Sequence, residues 1–280
     1  RGVTTGKFRF STFLLYAVAI LILIVQIYPV IWLILSSLKS SIELTSRPFS
    51  LPSTWLFDNY SSVIRESHIF LYIKNTAIVT FSCIILIVLL SSSIGFALEK
   101  MQFKINAKLL AFFTIGIMIP VQVTLIPLFI MYKNFGLLNS YTALILPQVG
   151  FALPLSVLIF TRFYKYVPNE IIEAAVMDGC NIYQVFYRIV LPLTNNTIIT
   201  VASINFIFIW NDFIFSNTFT NDSQYKTIAV GLQEFIGAFG ATDWGQTFAA
   251  ISISIMPIVL IYLILNKNVM AGMSEGSVKG

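Results

Sequence analysis

Residues 168–193, Pro-Asn-Glu-Ile-Ile-Glu-Ala-Ala-Val-Met-Asp-Gly-Cys-Asn-Ile-Tyr-Gln-Val-Phe-Tyr-Arg-Ile-Val-Leu-Pro-Leu, form a polar, helix-prone island between two long apolar runs. Connections between helices usually take only a few residues, whereas this one is punctuated like two helices. Pro168 suits a first helical position, where its missing N–H costs nothing. Glu170 and Glu173 fall in the first turns, where negative charge complements the helix dipole. Ala174 and Ala175 leave a smooth face that permits close approach of another backbone. Asp178-Gly179 is a natural stop, because glycine takes the left-handed conformation that closes a helix. Asn181 can then cap a second helix, with Gln184 three residues on completing the box. That helix presents Ile182, Val185, Phe186 and Ile189 and is expected to end at Pro192. An interfacial helix resting on lipid is the plainer reading, but headgroups select basic residues. The acidic start, Glu170, Glu173 and Asp178, favours docking to a protein.

Working outward, the rest of the chain is mostly hydrocarbon. Hydrophobic residues make up 57% and charged residues 10%, with a mean hydropathy of +0.86. Soluble domains carry about a quarter charged residues, so this is an integral membrane protein of all-α class. The net charge of +5 is too sparse and scattered for nucleic-acid binding. The chain opens on Arg1 rather than Met, as expected of a trimmed or late-starting N-terminus. A bilayer span needs roughly 20 apolar residues, and six windows qualify: 13–35, 77–98, 109–132, 142–161, 197–217 and 246–266. The first is too long for a signal peptide and lacks a small-residue cleavage site. With both termini inside, the inner segments hold eleven Lys and Arg residues and the outer segments six. The positive-inside rule therefore favours N-in, C-in and puts 168–193 in the cytoplasm.

Prolines 29, 120 with 127, 147 with 154, and 257 are expected to break or kink spans, as suits helices that rearrange around a pathway. Polar groups in lipid are costly and usually face a bundle interior. Gln122, Gln148, Asn205, Asn211 and Asp212 are available, with Trp210 as a neighbouring aromatic face. Gln122, Asn205, Trp210, Asn211 and Asp212 are thus candidates for a substrate pathway. The alternative is hydrogen bonding between helices. Outside, 38–72 and 218–245 are long segments. An enzyme fares badly: the one histidine, His68, has no carboxylate or cysteine cluster to hold a metal, and no nucleophile pair lies at membrane depth. Cys83 and Cys180 fall in different environments and make no disulfide framework. There is no Gly-x-x-x-x-Gly-Lys-Ser/Thr phosphate loop, so any ATP hydrolysis must reside on another subunit. An ion-coupled secondary transporter is a rival, although only Asp212 approaches a mid-span ionisable residue.

Glu173-Ala174-Ala175, Gly179 four residues on, then Ile189 and Leu191-Pro192 resemble the cytoplasmic loop of permease subunits of binding-protein-dependent ABC importers. Asn75-Thr76 and Gly95-Phe96-Ala97-Leu98 resemble the start of the permease core. Trp210-Asn211-Asp212-Phe213 and the end of the chain from Gly272 resemble the carbohydrate-uptake branch, as in the smaller permease of the maltose system. Glu275 and Ser277 depart from that branch's small, apolar tail. The resemblance implies a type I ABC importer permease fold in a bacterial or archaeal inner membrane. Residues 1–70 would be tail, first span and outer segment, 71–266 the core with its coupling loop at 165–196, and 267–280 a cytoplasmic tail. It further implies a second permease, cytoplasmic ATP-binding subunits carrying the ATP and Mg, and an outer sugar-binding protein. This chain would itself hold no cofactor or metal. Glu170, Glu173, Ala174, Ala175, Asp178, Gly179, Leu191 and Pro192 would dock the ATPase. Gly237, Gly240 and Trp244 would meet the binding protein. A permease for another small solute is the alternative cargo reading.

Overall fold

The computed structural model describes the backbone of residues 5–101, 103–236 and 242–275, and the side chains of 12–101, 103–236 and 242–263. All regular structure among them is helical. In chain order the helices are α1 (Thr5–Ser36), α2 (Ser41–Ser46), α3 (Asp58–Glu66), α4 (Ile69–Lys100), α5 (Asn106–Gly116), α6 (Val121–Asn134) and α7 (Tyr141–Tyr164). They continue with α8 (Asn169–Met177), α9 (Ile182–Val185), a π-turn at Phe186–Val190, α10 (Leu191–Leu193), α11 (Asn195–Trp210), α12 (Ile214–Phe219), α13 (Ile228–Gly231), a 3₁₀ turn at Leu232–Phe235 and α14 (Trp244–Glu275).

Four helices are long and apolar enough to cross a membrane unbroken: Thr12–Ser36, Ile69–Lys100, Tyr141–Tyr164 and Trp244–Leu263. The other two expected spans are elbows. α5 and α6 meet at 93°, and Ile182–Leu193 meets α11 at 75°. The expectation that prolines break spans holds at Pro120, which precedes α6, but Pro29, Pro127, Pro147, Pro154 and Pro257 lie inside continuous helices. Neighbouring helices and hydroxyl side chains can absorb a proline in a membrane helix. The fifth window is also shorter than 197–217, because α11 stops at Trp210 and Asn211 caps it.

The chain divides into two compact units, one formed by the residues up to Ser67 with Leu232–Ile255, the other by His68–Gly231 and the residues from Met256. In the first unit, the described side chains of α1 up to Ile31 all face outward, as a span bathed in lipid does. Beyond it the chain is knotted by polar contacts. Lys39 is fully buried and donates to the carbonyls of Arg47 (3.1 Å) and Pro48 (3.3 Å). Asn59 donates to the Ser37 and Lys39 carbonyls at 2.8 and 3.0 Å. Gly245 at the start of α14 lies against this turn so closely that a Cβ would sit 2.5 Å from the Lys39 carbonyl oxygen.

The second unit is built on α4 and α7. Val79, Cys83, Ile87 and Phe96 of α4 join Ala143, Leu144, Val149, Phe160 and Tyr164 of α7 in one core. Gly95 lets the two backbones meet, since a Cβ there would stand 2.8 Å from the Cβ of Phe160. Several buried hydroxyls return to their own helix: Ser91 to the Ile87 carbonyl, Thr161 to Val157 and Ser203 to Ile199. Without water nearby, that internal pairing is what makes them tolerable.

Candidate functional site

The island at 168–193 folds as two helices around a corner, and both caps are local. α8 ends in a Schellman arrangement, with the Gly179 N–H on the Val176 carbonyl and the Cys180 N–H on the Ala175 carbonyl, each at 3.0 Å. Gly179 has φ +86°, which an L-residue rarely adopts. No other atom crowds the place a Cβ would take, so the requirement is conformational rather than steric. Asn181 and Gln184 exchange hydrogen bonds of 2.9 Å in a full capping box. The second helix does not end at Pro192. It tightens into the π-turn at Phe186–Val190, continues through Leu191–Leu193 and turns at Thr194 into α11. A proline in the first turn of a new helical stretch lacks only a donor that would be unpaired anyway.

Burial sorts the docking candidates. Glu170, Glu173, Ala174, Asp178, Gly179 and Pro192 are exposed and Leu191 is half-buried. Ala175 is buried in this chain's own core with Val185, Phe186 and Val190, so its small size serves internal packing. Phe186 reaches Phe96 of α4 at 5.1 Å between ring centres. Two residues flanking the corner were not singled out from sequence: Met177 (87% exposed) and Tyr183 (73% exposed). Large apolar side chains beside a helix stop, off the buried face, were the available signal.

A second cluster lies where α6, α7 and α11 converge. A cavity of about 530 Å³ is lined by Gln122, Gln148, Asn205 and Asp212 together with Phe151, Phe208 and Phe215. Asn205 also donates to the Ser156 hydroxyl (3.2 Å) and the Val201 carbonyl (2.8 Å). Asp212 accepts from the Ser216 backbone N–H at 3.1 Å, opening α12. Trp210 and Asn211 are not in this lining. Trp210 is buried and stacked on Phe206, and Asn211 is exposed and bonded back to the Ile207 carbonyl. Residues 205, 208, 209 and 212 fall on one helical stripe, which the spacing alone contains. The aromatic faces present are therefore phenylalanines.

Near the other end of α4 from Lys100, the segment after α12 is clasped by distant residues. Asn75 donates to the Gln224 and Lys226 carbonyls, both at 2.9 Å, and accepts from the Tyr141 hydroxyl at 2.7 Å. The Thr76 hydroxyl accepts the Ile228 N–H at 2.8 Å. Asn139, with φ 55°, accepts from the N–H groups of Asn221 and Asp222. Gly231 faces the Tyr72 ring, which a Cβ would overlap. Of the three outer candidates, Trp244 is exposed and its N–H donates to the Ser41 hydroxyl. Gly237 and Gly240 lie outside the described residues, as does the tail from residue 276.

This arrangement has known relatives. Residues 88–275 match the family described as binding-protein-dependent transport system inner membrane component. The chain belongs to this family. As such a component it is a multi-pass protein of the inner membrane, working in a transport system that depends on a separate binding protein. It is 31% identical, over 99% of its length and 92% of the relative's, to the diacetylchitobiose uptake system permease protein NgcG of Streptomyces coelicolor. It is 32% identical to the trehalose/maltose transport system permease protein MalG of Thermococcus litoralis, covering 94% and 95% of the two chains. A solved bacterial ABC transporter involved in importing the acidic polysaccharide alginate shares its fold, with a TM-score of 0.81 at 18% identity over 95% of this chain and 99% of the other. The elbows at Pro120 and Thr194 thus belong to a permease fold, with six spans when each elbow is taken as one crossing.

Proposed function

We propose that this permease forms one half of the translocation pathway of an ATP-driven sugar importer and is coupled to its ATPase by the corner at 168–193. The observation that carries the reading is the geometry of that corner. Its apolar face is locked into the core, while Glu170, Glu173, Met177 and Tyr183 stand out together on a rigid, doubly capped frame. An acid on such a frame suits a basic groove, where a charged hydrogen bond is strong. With both termini inside, this face is cytoplasmic and meets subunits that carry ATP and Mg. A second permease completes the pathway, and an outer saccharide-binding protein delivers the cargo near Trp244.

Sugar as cargo is supported by the names of the relatives and by the cavity chemistry. Amides and a carboxylate offer both donors and acceptors to hydroxyls, and Phe151, Phe208 and Phe215 offer faces to ring C–H groups. The test is reconstitution of the complete complex in liposomes with a panel of mono-, di- and oligosaccharides and the binding protein. ATP hydrolysis is expected to rise with one saccharide class and to accompany its uptake. Uptake by this chain alone under a sodium or proton gradient, or stimulation only by non-saccharide solutes, would overturn the reading.

A further inference from the structure

We propose that Lys100 is a positioning residue that ties α4 to the coupling corner and passes its displacement into the core. The inference rests on the corner being the ATPase lever. α8 is joined covalently to α7 on one side and, through α9 and α10, to α11 on the other, but α4 has no covalent link to it. Lys100, the last residue of α4, supplies a hydrogen-bonded link instead. Its ammonium donates to the Val167 carbonyl at 2.6 Å and to Asn169 Oδ1 at 2.8 Å, bracketing the entrance to α8.

Helix stability explains a cation in the last turn of α4, where it complements the dipole, but not its reach to α8. A cation beside a helix N-terminus opposes the macrodipole, so Lys100 works against α8 electrostatically. Nor is the lysine needed to finish α4, because the Asn106 side chain already donates to the Leu98 and Met101 carbonyls at 2.8 and 2.7 Å. Other contact between α4 and the corner is apolar, as in the ring contact of Phe96 with Phe186 and their shared core with Val185 and Val190. Apolar contacts are non-directional and allow sliding, whereas two short hydrogen bonds from one ammonium fix both distance and direction. A push on Glu173 then reaches α4 through Asn169 and Lys100, and this single 32-residue helix carries it to Asn75 and Thr76 near its far end.

The test uses the whole reconstituted complex and reads uptake per ATP hydrolysed. K100M is expected to assemble, keep its melting temperature and hydrolyse ATP, but to lose about tenfold in uptake per ATP, the equivalent of one charged hydrogen bond. K100R, whose fork reaches both acceptors, is expected to restore most of the ratio, and N169A to lose less than K100M because the Val167 carbonyl remains. A K100M complex with the wild-type ratio overturns the tether. So does a K100M complex that loses assembly, hydrolysis and melting temperature together without rescue by K100R, which marks a folding role only. E173K in the same vesicles separates the premise: if it keeps its ATPase and full coupling, the lever reading fails, whatever K100M does.

Discussion

The corner at 168–193 and the segment at 220–231 belong to the same unit, yet they are held in shape by opposite means. The corner is made by neighbours. Its defining bonds join residues three to five apart: Cys180 to Ala175, Gly179 to Val176, and Asn181 with Gln184. The other segment is made by strangers, with Asn75 and Thr76 reaching residues some 150 positions away. A locally determined corner keeps its form while its outer face stays exposed. A segment held by remote partners instead depends on where α4 and Asn139 stand.

Substitutions can break this contrast. The largest effect is expected from G179P. Proline holds φ near about −65°, opposite in sign to the +86° observed, and removes the N–H given to Val176. Uptake in reconstituted vesicles should fall by about a hundredfold while the protein still inserts, since proline cannot occupy this corner. Normal uptake by that variant would show that the corner's shape is irrelevant. Next comes G231A at the remote-held segment. Its Cβ overlaps the Tyr72 ring, and overpacking of this kind costs about 1–3 kcal/mol. Detergent-solubilised protein should melt earlier, and an unchanged melting temperature would mean that the segment yields without strain.

N75A is expected to be milder, about 2 kcal/mol for three hydrogen bonds, because polar contacts in membrane proteins are individually modest. Its signature is positional. Amide exchange should rise at 220–228 and stay unchanged at 169–185, and exchange rising equally in both would dissolve the contrast. N181A is the smallest, about 1 kcal/mol for a lost N-cap. Faster exchange at the 182–185 amides, with no change near 228, is the expected result. Spread of the effect to the far segment would mean that the corner is not local after all.

The same division explains what could be read in advance. The corner was legible because glycine's left-handed turn, the Asn-x-x-Gln box and the acidic first turn are properties of adjacent residues. Its continuation past Pro192 was not, since a proline that stops one helix also fits the start of the next. Ala175 illustrates the limit more sharply: the sequence shows a small residue on a helix, but only its burial in one core with Val185 and Phe186 shows that it faces inward. Asn75-Thr76 carried a family likeness without a reason, and the clasp on Gln224, Lys226 and Ile228 provides one. Trp210 was attractive as an aromatic next to Asn211 and Asp212, but helical periodicity turns it away from the cavity that Asn205 and Asp212 share.

Sequence by itself determined the solvent, the helices and the corner. Apolar length, charge scarcity and cap chemistry act within a few turns of one chain, where no distant partner is needed. Tertiary structure alone decided which polar residues share the cavity of Gln122, Gln148, Asn205 and Asp212, which helices bend, and that Lys100 reaches Val167 and Asn169. Those outcomes depend on the close crossing of α4 and α7 at Gly95 and on what it brings within hydrogen-bonding distance, and the order of residues along a chain does not contain a distance between its helices.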